Sequence, residues 1–84
     1  MTDKDKGLVL GAPATYRVRV QGLLDQSYSD RLGGVAITTI HEENAGPVTT
    51  LEGRLLDQAA LAGVLDSLYS LRLPILSVEC LSIG

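Results

Sequence analysis

The sequence predicts an α+β domain: a single four-stranded, mainly antiparallel sheet with its helices on one face. Three observations predict it. Four segments carry strand patterning, one longer segment between the last two has helical apolar spacing, and the breaks between segments are short and polar. With 84 residues there is room for one hydrophobic core and no second one.

Residues 1–14 carry charges, two glycines and Pro13, and are expected to form a flexible N-terminal tail ahead of a single domain over residues 15–84. In YRVRVQG, Tyr16, Val18 and Val20 alternate with Arg17, Arg19 and Gln21, the period of a half-buried strand. LLDQSYSDRLGG follows. Ser27 with Asp30 three positions later gives a weak capping signal and Gly33–Gly34 a strong stop, so a helix of one or two turns fits over Ser27–Leu32. VAITTI, Val35 to Ile40, is rich in β-branched residues and reads as a second strand. HEENAGP supplies a polar hairpin loop. VTTLEGRL returns as a third strand with Thr49, Leu51 and Leu55 on one face and Thr50, Glu52 and Arg54 on the other. Gly53 falls on the inner face, where a helix backbone is expected to approach closely.

Asp57 to Leu81 is the most legible stretch. Asp57 is a preferred N-cap, and Leu56 and Leu61 are spaced for a hydrophobic staple across it. Leu61, Val64, Leu65, Leu68 and Leu71 recur at helical spacing and form one apolar stripe. Arg72 suits the negative end of the helix dipole, and Pro74 ends the helix where a strand can begin. ILSVECL completes the sheet, with Cys80 expected to face the core beside Leu76 and Val78.

Strand, short helix, strand, hairpin, strand, long helix, strand is the βαββαβ order of ferredoxin-like sandwiches. If Ser27–Leu32 is a loop, the first three strands form an antiparallel meander and the order becomes βββαβ. In the ferredoxin-like order the first strand lies between the third and fourth. Arg17, Arg19 and Arg54 then share the open face of the sheet with Glu52 and Glu79. Opposite charges on neighbouring strands support a sheet by about 0.2–1 kcal/mol per pair, which makes this a self-compensating face. The same arginines could instead form an anion-binding platform, or meet glutamates of a second copy across a two-fold axis. In either topology the short first helix leaves its half of the sheet under-covered, which points to a partner.

Composition narrows the function. Seven Lys and Arg stand against ten Asp and Glu, a net charge of -3, so the clustered cations that bind phosphate backbones are missing and nucleic acid is not an expected partner. No aromatic on the strands faces outward for a base to stack on. One cysteine and one histidine exclude an internal disulfide framework and a closed structural zinc site within one chain. No apolar run approaches the about 20 residues that span a bilayer, so no membrane is expected. The N-terminal residues do not read as a signal peptide, and cytoplasm is the expected compartment for a lone thiol. Hydrophobic residues make up 45% of the chain with no Phe or Trp, more apolar surface than so small a domain can bury, which predicts a homo-oligomer or a subunit of a larger complex.

No catalytic constellation emerges, and neither an enzyme nor a cofactor is expected. Cys80 has no base nearby in sequence. His41, beside Glu42 and Glu43, reads as solvated, and HEEN lacks the second histidine of a helical zinc motif. Asp25 with Asp30 sits in a polar connection where capping explains it. Tyr28 with Arg31, and Tyr69 with Arg72, pair residue types enriched at interface hot spots. The candidate interface or ligand-binding residues are therefore Arg17, Arg19, Asp25, Tyr28, Arg31, Arg54, Tyr69 and Arg72.

The blocks VQGLLDQSYSDRLGGVAIT and GPVTTLEGRLLDQAALAGVLDSLYSLRLPILSVE resemble a family of small uncharacterised bacterial proteins, in which tryptophan often stands where this chain has Tyr28. The resemblance carries no activity over to any residue. The last helix–strand unit is more distantly similar to ACT domains, ferredoxin-like regulatory modules that bind amino acids at dimer interfaces. That resemblance implies a small-ligand site near Asp25 to Arg31 at a subunit boundary. VRVQGLLDQSYSDRLGG is faintly similar to acylphosphatases, but the loop is not basic and no asparagine sits on the following strand.

Overall fold

A computed structural model describes residues 13–44 and 46–83. The expected tail lies outside the described residues up to position 12, and Ala14 already belongs to a strand. The elements are β1 (Ala14–Gln21), two 3₁₀ turns (Gln26–Tyr28 and Asp30–Leu32), β2 (Ala36–Glu42), β3 (Gly46–Leu55), α1 (Gln58–Ser70) and β4 (Ile75–Ile83). The strands form one sheet in the order β2-β3-β1-β4, and every neighbouring pair is antiparallel.

The expected βαββαβ order is not matched: three strands come first, then the single α-helix. This is the alternative βββαβ order, but without the meander expected with it: β1 lies between β3 and β4, as expected for the ferredoxin-like arrangement, instead of beside β2. The local chemistry explains why Ser27–Leu32 does not grow into a helix. Asp25, not Ser27, caps the first turn, its Oδ1 accepting from the Ser27 N–H at 2.9 Å. Ser29 then anchors the segment sideways. Its hydroxyl donates to the Val35 carbonyl at 2.6 Å and its carbonyl accepts from the N–H groups of Leu32 and Gly34. Gly33 and Gly34, at φ 84° and 81°, take a left-handed backbone that stops any further turn.

The inner face of the sheet follows the alternation in the sequence. Tyr16, Val18 and Val20 of β1, Ile37 of β2, and Leu51 and Leu55 of β3 are buried with Leu24, Leu32 and Val35 from the crossover. Gly53 is also on this face, but the close approach is made by Val35 and not by the helix. A Cβ at position 53 would lie 3.0 Å from Val35 Cγ1 and 3.1 Å from its Cα.

α1 closes the core. Asp57 caps it, its Oδ1 accepting from the Ala60 N–H at 2.8 Å, and Leu61, Val64 and Leu68 are buried with Leu65 partly so. Gln58 Nε2 donates to the Tyr16 hydroxyl at 3.0 Å, tying the first turn of α1 to β1. The expected staple is not made, since Leu56 is 73% exposed. The helix ends in a Schellman motif: Leu73 N–H donates to the Leu68 carbonyl at 3.1 Å and Arg72 N–H to the Tyr69 carbonyl at 2.9 Å. Arg72 occupies its left-handed position, φ 63°, a place usually given to glycine.

Candidate functional site

Among the described residues β4 is an edge strand, and it carries five of the ten exposed large apolar side chains in one row. Ile75, Val78, Cys80 and Ile83 stand opposite Val20, Val18, Tyr16 and Ala14, so they share the helix side of the sheet. Ser77, Glu79 and Ser82 stand opposite Arg19, Arg17 and Thr15 on the open side. Leu76 and Leu81 are the extra residues at two register shifts. The helix packs against β3 and the second 3₁₀ turn, and the first turn lies against β2, so among the described residues no helix or turn packs closely over β4. As a result Ile75, Leu76, Val78, Leu81 and Ile83 are each between 38% and 50% exposed. The under-covered half of the sheet is therefore the β4 half, not the one beside the first crossover. This also corrects the expected position of Cys80. It is exposed, with Sγ 3.8 Å from the Ser82 carbonyl, because the core is closed over β1 and β3 and stops short of β4.

The open face is charged and paired. Arg17 Nε lies 3.4 Å from Glu52 Oε1, and its Nη1 lies 3.4 Å from Glu79 Oε1. Arg19 Nη2 lies 3.6 Å from Glu42 Oε2. These groups are roughly half exposed, and such pairs contribute about 0–1 kcal/mol each. Arg54 stands on β3 opposite Thr15 and is exposed. Sequence spacing placed Glu52 and Glu79 beside Arg17 but missed Glu42. The missed signal is the tightness of the hairpin: β2 runs to Glu42 and β3 begins at Gly46, so His41 and Glu42 lie on the ladder and not in a loop. His41 is exposed there, opposite Pro47.

The tyrosine–arginine pairs are brought together on the other side of the sheet. Tyr28 and Arg31 line a groove of about 230 Å³ with Leu32, Asp66, Ser67 and Ser70, the guanidinium carbon 5.8 Å from the centre of the tyrosine ring. Tyr69 and Arg72 line a second depression of about 490 Å³ with Ser70, Leu73 and Pro74. Ser70 borders both, so they meet at the C-terminal end of α1. Asp25 is committed to its cap and lines neither. The eight residues singled out from sequence thus fall into two groups on opposite faces, with Asp25 apart. Among the described residues no three of His, Cys, Asp or Glu are placed to hold a metal ion, and no helix is long and apolar enough to cross a membrane.

An antiparallel sheet under a single helix, with an apolar edge strand that no described helix or turn covers, defines a small α+β domain. Residues 15–79 match the family described as Domain of unknown function (DUF8691), and the chain belongs to that family. No curated protein and no solved structure matches it.

Proposed function

We propose that this chain is a non-enzymatic interaction or assembly module, a homo-oligomer or a subunit of a larger bacterial complex in the cytoplasm, with β4 as its contact surface. The observation that carries this is the row of five large apolar side chains left exposed along one edge strand. Contiguous apolar surface of this kind is rare on soluble monomers, and a strand edge with no neighbour among the described residues adds a line of N–H and C=O groups to it. Burial of such side chains returns about 25 cal/mol per Å² of apolar area. The test is sedimentation of the purified chain at micromolar concentration together with affinity capture, each with Val78→Lys as control. The expected outcome is an oligomer, or a defined partner, that the Val78→Lys variant loses. A monomer whose captured proteins are the same in both forms would end this proposal.

A second reading, a sensor of ACT type, is favoured by the groove at Tyr28 and Arg31, which places a guanidinium beside an aromatic face and the C-terminal half of α1. It takes an amino acid or another small anion there. A melting screen against amino acids and inorganic anions tests it: a true ligand at a hundred times its Kd adds about 2.7 kcal/mol of stability. Arg31→Gln abolishes that shift if the groove is the site, and a flat screen removes the sensor.

A further inference from the structure

We propose that the β4 edge is closed by a second copy of this chain, pairing antiparallel about a two-fold axis through Val78 and joining two four-stranded sheets into one. This rests on the interaction module proposed above and names its partner.

Among the described residues the sheet has two edges, and they differ. β2 exposes one large apolar side chain, Ile40, among Thr38, His41 and Glu42. β4 exposes five, carries a single charge at Glu79, and has no lysine or internal proline. Natural edge strands are usually blunted by those devices. β4 has its register shifts at Leu76 and Leu81, which leave Ser77 to Cys80 as the regular segment available for a ladder.

Symmetry then restricts the register. Residues opposite each other in an antiparallel pair point to the same face, so a two-fold axis passes through a residue and not between two. An axis at Glu79 sets two carboxylates face to face, which is unfavourable. An axis at Cys80 sets Glu79 against Leu81, and one at Ser77 sets Glu79 against Ile75. An axis at Val78 sets Val78 against Val78 and Ser77 against Glu79, apolar with apolar and polar with polar.

A separate observation selects the same register. Ser77 Oγ is buried without a hydrogen-bond partner, the one such side-chain atom among the described residues. A buried hydroxyl left unpaired is costly, so an acceptor for it is expected. With the axis at Val78, Ser77 stands opposite Glu79 of the other copy, and rotation of Ser77 about χ1 turns its hydroxyl from its buried position toward that half-exposed carboxylate, which Arg17 holds over the open face. Each copy donates one Ser77 hydroxyl and accepts one, so the contact is made twice and is self-complementary.

Sedimentation of the purified full chain at micromolar concentration is expected to give a dimer. Val78→Lys puts two ammonium groups on the axis and is expected to raise the dimer Kd by about thirtyfold or more, the scale of a central hot spot. Ile40→Lys on the opposite edge leaves the dimer intact. Should Val78→Lys fail to fold, cross-linking decides. In a Cys80→Ser background, Val78→Cys is expected to form an intermolecular disulfide on mild oxidation, because opposite Cα atoms lie about 4.5–5.5 Å apart. The chain with Cys80 as its sole thiol is expected to cross-link far less. A dimer that survives Val78→Lys, or that Ile40→Lys dissociates, overturns the proposal. So does preferential cross-linking through Cys80. A monomer that binds a different protein through β4 overturns this pairing while the broader interaction role stands. A monomer that binds nothing there removes both.

Discussion

Thr49 has no exposed surface, and its hydroxyl has two neighbours. It donates to the Gly22 carbonyl at 2.6 Å, so across the 2.9 Å contact with Thr39 Oγ1 it must accept. Thr49→Val keeps the shape and leaves both partners short of a bond, with an expected loss of about 1–3 kcal/mol in urea denaturation. Thr39→Val costs less, and the double variant is expected to be less than additive, which a double-mutant cycle measures. Gly53→Ala is expected to cost about 1–3 kcal/mol by the same assay, because the new methyl meets the Cα of Val35 as well as its side chain and the backbone yields little. That Gly53 faces inward was readable from the alternation of Leu51 and Leu55. What it makes room for was not, since Val35 arrives from a crossover whose path no local pattern specifies. For Ser77 no signal exists in the sequence at all: whether a strand hydroxyl finds a partner depends on neighbours distant along the chain.

Among the elements, α1 was the most legible, because cap, apolar stripe and terminating proline all agree within one local segment. Its far end shows the cost of one disagreement. Arg72 holds a left-handed backbone that glycine adopts freely, at a penalty of about 1 kcal/mol for a residue with a Cβ. Arg72→Gly is therefore expected to raise the melting temperature, a gain read directly by calorimetry. The strands were legible in position and in inward face for β1 and β3, where one layer of helix and turn supplies the burial that alternation encodes. β4 misled for the same reason. Its alternating apolar residues match an inward strand, but the helix stops short of it, and coverage is a property of the sheet and not of the strand. The first crossover misled through Ser29, whose hydroxyl and carbonyl both serve the turn in place of a helix.

At the scale of the whole molecule, stability and association are linked. A domain of this size is marginal when alone, and anything that binds only its folded form stabilises it by mass action. If β4 is closed by a second copy, the melting temperature rises with protein concentration, and the Val78→Lys variant melts at a lower temperature that does not depend on it. Calorimetry over a hundredfold dilution series is the check, and a concentration-independent midpoint for the parent chain would contradict it.

Ala14 and Ile83 are ladder partners, so the strand at the middle of the sheet is completed by the one made last. A ribosome delivers β1, β2 and β3 before β4, and throughout that interval β1 offers a bare, Val-rich margin to whatever is near. The interval before β4 joins the sheet is therefore the one in which β1 is most open to pairing with a wrong strand.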